Sequence, residues 1–238
     1  MILTTLWFWL VFAVTGPLCL VLGTLLFLVT APFDPDRRVM HAFLSRWTFQ
    51  YLRASPLWRV RVLHRDRLPD GPCVIIANHQ SMADIVAVMG LFHPFKFVSK
   101  ASLFSVPLVG WLMRMARYIG IERGRHGSTR DMMEQCRGWL RRGMPVLLFP
   151  EGTYSSGGPM LPFKRGAFLL ALEEKVPVVP VVLRGTAELI HGDGPWMNAR
   201  ARIEVEVLPP VMPQDLGTDP AALSARMREV LSEALAVR

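Results

Sequence analysis

Cys73-Val74-Ile75-Ile76-Ala77-Asn78-His79-Gln80-Ser81-Met82-Ala83-Asp84 passes from an unbroken apolar run into polar residues and then into a helix start. The first five residues, entered after Pro72, are what a short strand buried on both faces requires. Ser81 followed by Asp84 predicts a helix N-cap and its partner three residues on. A buried strand that turns directly into a helix is the unit of an α/β sheet, and such sheets hold ligands at the carboxyl ends of their strands. Asn78 and His79 fall in that loop, and Asp84, in the first helical turn, can fold back toward His79. A neutral imidazole takes a proton from an alcohol near neutral pH, and a carboxylate on its far nitrogen fixes the tautomer. The competing reading is a capping aspartate beside an ordinary loop histidine, because a His and an Asp at this separation are common. No Ser or Cys sits with the pair in a nucleophile elbow, so the hydroxyl to be activated belongs to a substrate.

Working outward, strands are expected near 58–63, 73–77, 96–99, 118–122, 145–149, 177–183 and 202–207. Helices are expected near 82–92, 102–116, 127–142, 164–175 and 220–236. This alternation predicts an α/β fold with a mainly parallel sheet flanked by helices. The segment 102–115 is apolar along most of its length, with Pro107 and Gly110 inside, and suits an acyl-tunnel wall, a membrane contact or a core helix. The longest loop is expected at 185–199, around Gly192-Asp193-Gly194-Pro195.

Three further strand ends carry polar residues or prolines. Val146-Leu147-Leu148-Phe149 stops at Pro150-Glu151-Gly152-Thr153, Tyr118-Ile119-Gly120-Ile121-Glu122 runs into Arg123-Gly124-Arg125, and Val176-Pro177-Val178-Val179-Pro180 opens another strand. With these blocks in order after Asn78-His79 and Asp84, the sequence resembles the 1-acylglycerol-3-phosphate acyltransferases (lysophosphatidic acid acyltransferases) over roughly residues 60–208. Supporting stretches are Lys100 ahead of 103–111 and Pro162-Phe163-Lys164-Arg165-Gly166-Ala167-Phe168.

The resemblance implies an acyltransferase that moves an acyl chain from a thioester, on acyl carrier protein or coenzyme A, to the sn-2 hydroxyl of 1-acylglycerol-3-phosphate. His79 is then the general base and Asp84 its orienter, with no acyl-enzyme and so no role for Cys73. A phosphomonoester needs fixed cationic donors. Arg123 is the first candidate and Lys100 the second, although a solvated turn with Glu122 accounts equally for Arg125 and remains open for Arg123. Glu151 and Gly152 are expected to contact the glycerol part of the acceptor, with Thr153 in the same substrate-binding block. One position departs from the family, which carries arginine after Glu-Gly-Thr where this chain has Tyr154. Either Lys164 or Arg165 takes over, or the acceptor is a different lysolipid, such as a lyso-aminolipid. A lipid-binding scaffold that keeps the fold without turnover is the reading from another class.

The N-terminus carries no charged residue over 1–33, and about 20 apolar residues suffice to cross a bilayer. Gly16-Pro17 interrupts the run and permits a kinked span or a re-entrant hairpin. A cleaved signal peptide fits poorly, with no basic region before the run and no small-x-small site near its end. Over 37–55, Met40, Phe43, Leu44, Trp47, Tyr51 and Leu52 recur at helical spacing among Arg37, Arg38, Arg46 and Arg53. That pattern predicts a basic amphipathic helix in the membrane interface, or else a surface helix packed on the domain. The expected organisation is thus a membrane anchor over 1–56 and a catalytic domain over 57–238. Arginines after the apolar run, with none before it, place that domain on the cytoplasmic side, at the cell inner membrane or another cytoplasm-facing membrane.

Composition narrows the partners. The 238 residues hold 27 Lys+Arg against 19 Asp+Glu, a net charge of +8. Such a surface suits anionic lipid headgroups, an acidic acyl carrier protein or coenzyme A phosphates. Nucleic acid is not expected, because no Lys/Arg stripe interleaves with aromatics outside the amphipathic segment. Cys19, Cys73 and Cys136 are scattered and odd in number, which suits a reducing compartment and gives neither a disulfide framework nor a metal motif. No metal and no bound cofactor are expected, only the thioester co-substrate. The oligomeric state is not set by the sequence.

Overall fold

A computed structural model describes residues 1–190 and 194–236. Among them seven strands form one sheet: β1 (Trp58–Leu63), β2 (Val74–Ala77), β3 (Lys96–Lys100), β4 (Ile119–Ile121), β5 (Val146–Leu148), β6 (Val178–Arg184) and β7 (Ala201–Val207). They lie in the order β1-β7-β6-β2-β5-β3-β4. Every neighbouring pair is parallel except β6 and β7. β2, β5 and most of β6 are buried on both faces, as their unbroken apolar sequences require. β7 instead alternates, with Ala201, Ile203, Val205 and Val207 buried and Arg202 exposed, so helices cover only one of its faces.

The helices are α1 (Ile2–Thr30), α2 (Arg38–Gln50), α3 (Ala83–Val88), α4 (Val109–Met115), α5 (Ser128–Arg141), α6 (Gly166–Glu174), α7 (Thr186–Leu189) and α8 (Pro220–Ala236). One core joins the sheet to α1, α2, α3 and α4, and a second joins it to α5, α6 and α8. The fold is therefore α/β, a mostly parallel sheet between two helical layers, with a long apolar helix at its N-terminus.

Three expectations change. The helix expected at 102–116 is broken: residues 101–105 form a 3₁₀ turn, Leu108 has φ of 64°, and only Val109–Met115 is α-helical. Pro107 is the cause, since it lacks an N–H and keeps its predecessor out of the helical region. The N-terminal segment is one continuous helix with Pro17 inside it, not a hairpin. It is long and apolar enough to cross a membrane, with mean hydropathy of 2.3 over its most apolar stretch. Its inner side, Thr5, Gly16, Cys19 and Gly23, packs on the domain, while Leu3, Leu10, Val14, Val21 and Leu28 stay exposed. Gly23 is required there, because a Cβ would fall 2.9 Å from Leu112 and 3.2 Å from Phe43.

The amphipathic segment 37–55 is the third. Met40, Leu44, Phe49 and Leu52 are at most 5% exposed and belong to the same core as Val88 and Phe97. The apolar side of α2 is thus occupied by the domain, and the expected boundary near residue 56 divides residues that share one core. The loop expected at 185–199 contains α7 and a bridge between Ile190 and Met197; its residues 191–193 lie outside the described ones.

Candidate active site

Parallel strands bring their carboxyl ends to one edge, and strand order sets what stands next to what. Across that edge β2 leads to His79, β5 to Glu151 through Tyr154, β3 ends at Lys100, and β4 leads to Arg123. Asn78 fixes the start of the first loop: its amide donates to Leu183 O at 2.9 Å and accepts from Leu183 N at 2.8 Å, extending the pairing of β2 with β6 by a side chain.

His79 Nδ1 lies 2.7 Å from Asp84 Oδ2, with the aspartate fully buried. The same oxygen accepts the Gln80 and Ser81 backbone N–H groups at 2.6 and 2.9 Å. The Ser81 hydroxyl accepts the Ala83 N–H at 3.2 Å, so α3 starts one residue later than a Ser81 N-cap with the capping contacts still made. Asp84 therefore caps its helix and orients a histidine with one carboxylate, and the two readings of the His–Asp spacing are both realised. Two backbone N–H groups already hold that oxygen as an acceptor, so the proton between it and the ring belongs on Nδ1, which leaves Nε2 as the basic atom. The imidazole stacks on Phe149 at 4.1 Å between centroids and meets Tyr154 edge-on at 5.7 Å.

A cavity of about 490 Å³ opens in front of His79. Lys100, Arg123, Lys164, Gly152, Thr153 and Tyr154 line it, so six of the site residues expected from the sequence, His79 included, share one space with Tyr154. Arg125 does not line it and pairs with Glu122 at 3.0 Å, while Arg123 makes no ion pair among the described residues. Lys164 shares the cavity with Tyr154, whereas Arg165 does not line it. Gly152 makes room for it: φ is 73°, and a Cβ would stand 2.5 Å from Lys164 Nζ.

Glu151 departs from the expected glycerol contact. It is 4% exposed and does not line the cavity. Its Oε1 accepts the His79 backbone N–H at 2.6 Å and its Oε2 the Leu161 N–H at 2.7 Å. Burial raises its pKa, and these two N–H groups oppose the rise. Ser155 N–H donates to His79 O at 2.9 Å, so the loop after β5 holds both the N–H and the C=O of His79.

A second cavity, of about 460 Å³, is almost entirely apolar and runs between α1, α2, α3 and α4. Met82, Ile85 and Leu103 line both cavities and mark where they meet. Burial pushes the Cys73 thiol up to about 12, which keeps it protonated. No group of three His, Cys, Asp or Glu residues able to hold a metal occurs among the described residues.

A mostly parallel sheet with a hydrogen-bonded histidine–aspartate pair at its carboxyl edge, between a cationic and an apolar cavity, defines the class by its fold and site as an α/β protein. The sequence identifies it further: a family model for Acyltransferase matches residues 59–184, and the chain belongs to that family. It is 41% identical over 160 residues to a 1-acyl-sn-glycerol-3-phosphate acyltransferase of Chlamydomonas reinhardtii, covering 66% of this chain and 48% of that protein. A protein of the same name from Pseudomonas aeruginosa is 32% identical, covering 67% of this chain and 63% of its own length. The chain spans about half the length of the first of these and under two thirds of the second. The crystal structure of the 1-acyl-sn-glycerophosphate (LPA) acyltransferase PlsC from Thermotoga maritima superposes with a TM-score of 0.76 at 26% identity, over 98% of this chain and 94% of that one.

Proposed function

We propose that the protein transfers an acyl chain from a thioester, carried by acyl carrier protein or coenzyme A, to the sn-2 hydroxyl of 1-acylglycerol-3-phosphate, forming phosphatidic acid for phospholipid synthesis. One juxtaposition carries the reading: His79, oriented by Asp84, faces a cavity with three cations on its wall, and an apolar cavity begins at the same point.

The acceptor phosphate seats among Lys100, Arg123 and Lys164, each charge-assisted hydrogen bond being worth about 1.5–3 kcal/mol. The acceptor hydroxyl donates to His79 Nε2. As its oxygen bonds to the thioester carbon, the proton passes to Nε2, and Asp84 stabilises the imidazolium. The tetrahedral oxyanion collapses, the carbon–sulfur bond breaks, and the leaving thiolate takes the proton from Nε2. Base assistance of this kind contributes roughly 10²–10⁴-fold. An acyl chain in the apolar cavity gains about 0.8 kcal/mol per buried methylene.

Glu151 serves in this account by positioning the His79 loop, and Gly152 by admitting Lys164. The exposed apolar side of α1 meets the membrane, with the domain on its cytoplasmic side and basic residues toward anionic headgroups. No metal or bound cofactor takes part, and nucleic acid is not a partner. Tyr154, where the family resemblance implies arginine, favours a second reading in which the acceptor is another lysolipid. The position of Lys164 over Gly152 supports the phosphate acceptor over that alternative. Thiol release by the purified protein, with lysophosphatidate, a phosphate-free 1-acylglycerol and a lyso-aminolipid compared as acceptors, tests the choice. Lysophosphatidate is expected to be preferred, and preference for either of the others overturns the assignment.

A further inference from the structure

Three cavities meet at Met82: the cationic one, the apolar one, and a third of about 370 Å³. Under the acyl-transfer reading, on which this inference rests, the first two take the acceptor headgroup and an acyl chain. A thioester donor also has an arm beyond its sulfur, and with the carbonyl at His79 that arm needs a passage of its own. We propose that the third cavity holds the pantetheine arm of the donor and delivers the phosphate at the end of that arm to Arg59, Arg200 and Arg202.

The order of the sheet supports this. The acceptor cations follow β5, β3 and β4, on one side of His79, whereas the third cavity follows β6, on the other. Its lining is mixed, with Trp9, Ile190 and Pro195 facing Gln80, Ser81 and Tyr154. Pantetheine carries two amides on a short aliphatic arm, and its amides can pair with the Gln80 amide and the Tyr154 hydroxyl. A hydrocarbon chain would desolvate those groups without pairing them. Tyr154 lines both this cavity and the cationic one, so it is the wall between them. An arginine at that position would bring its charge to this same partition.

The far end has the matching charge. Ala187 of α7 lines the third cavity, and the next residue, Glu188, lines a neighbouring concavity with Arg59, Arg200 and Arg202. Arg59 of β1 and Arg202 of β7 are paired in register, an arrangement that like charges destabilise unless an anion joins them. None of the three arginines makes an ion pair among the described residues. Because β7 runs antiparallel to β6, and β1 parallel to β7, their amino ends lie on the edge where β2, β5 and β6 present their carboxyl ends. Along that edge the order is arginine cluster, third cavity, His79, acceptor cations.

Coenzyme A and the prosthetic group of acyl carrier protein share the pantetheine arm and its phosphate, so both are tested. The experiment measures kcat/KM of the full-length protein in detergent micelles with palmitoyl-coenzyme A, palmitoyl-acyl carrier protein and palmitoyl-N-acetylcysteamine, the last lacking the phosphate and most of the arm. Two variants are compared with wild type: Ala187→Leu, which narrows the cavity, and the exposed triple change R59Q/R200Q/R202Q. The ratio of kcat/KM for a complete donor to that for the truncated one should fall about tenfold or more in each, as expected for losing at least one charge-assisted or well-packed contact. A fall seen with either complete donor supports the assignment and names the source. Equal losses on complete and truncated donors, with a raised KM for lysophosphatidate, give the cavity to the acceptor chain and overturn it. So does an unchanged ratio in the arginine variant, which keeps the proposal falsifiable if Ala187→Leu does not fold. If wild type turns over no donor, the acyl-transfer reading fails on its own. Binding of a non-reactive palmitoyl-coenzyme A thioether then decides the cavity, weaker binding by the variants supporting it and equal binding overturning it.

Discussion

Replacing Glu151 with Gln separates a positioning role from a substrate contact. The carboxylate accepts two backbone N–H groups, from His79 at 2.6 Å and Leu161 at 2.7 Å. A glutamine amide offers one oxygen and one NH₂, so one of those N–H groups must face a donor. An unpaired buried N–H costs about 1–3 kcal/mol, and loss of charge assistance on the surviving bond brings the expected destabilisation to about 2–4 kcal/mol. If the His79 N–H is the one released, the His79 backbone loses its bond to the β5 loop on that side while Ser155 N–H and the Asp84 contacts remain, and a displacement of about 1 Å at a catalytic group costs on the order of 10²-fold in rate. Steady-state kinetics on the folded E151Q protein should therefore show kcat lower by roughly 10–100-fold, with the KM for lysophosphatidate changed by no more than about threefold. Unchanged kcat with an acceptor KM raised about tenfold or more would place Glu151 on the substrate and refute the reasoning.

D84N should lower kcat by about 10³–10⁴-fold with little change in acceptor KM, because an asparagine no longer enforces the tautomer or stabilises the imidazolium; kinetics across the pH range check this. R123Q and K164Q should each raise the KM for lysophosphatidate by about 10–100-fold while affecting a phosphate-free acylglycerol much less, as side-by-side acceptor titrations would show. Lys96 is buried, its ammonium donating to Ala116 O at 2.6 Å, and burial pulls its pKa from 10.5 down to about 7. Between those values the unfolded chain holds the proton more tightly, so stability should rise with pH at up to about 1.4 kcal/mol per unit. Guanidinium unfolding in micelles should show that slope in wild type and its loss in Lys96→Met.

Where a run of sequence had a single physical solution, it was legible. Val74–Ala77 admits little but a buried strand, and its exit into Asn78 and His79 places the histidine at the carboxyl edge. The His79–Asp84 contact was legible because five residues bridge a strand end and a first helical turn. Long-range packing was less so. The apolar stripe of α2 has the same spacing whether lipid or protein covers it, and only the contacts of Met40 and Phe49 with the domain decide between them. The break at Pro107 was present in the sequence as a proline and was outweighed by the apolar run around it. The family resemblance implies an acceptor contact for Glu151, but a buried carboxylate goes where N–H groups need it, and those belong to His79 and Leu161. The clamp of Asn78 on Leu183 spans 105 residues, and no local pattern signals it.

The most direct measurement is phosphatidic acid formation, followed by mass spectrometry, when purified wild type and the His79→Ala protein receive an acyl thioester and lysophosphatidate. The account predicts product and stoichiometric free thiol from wild type, and a loss of at least about 10²-fold in His79→Ala, the low end of what a general base contributes. Product formed by His79→Ala at the wild-type rate would contradict it.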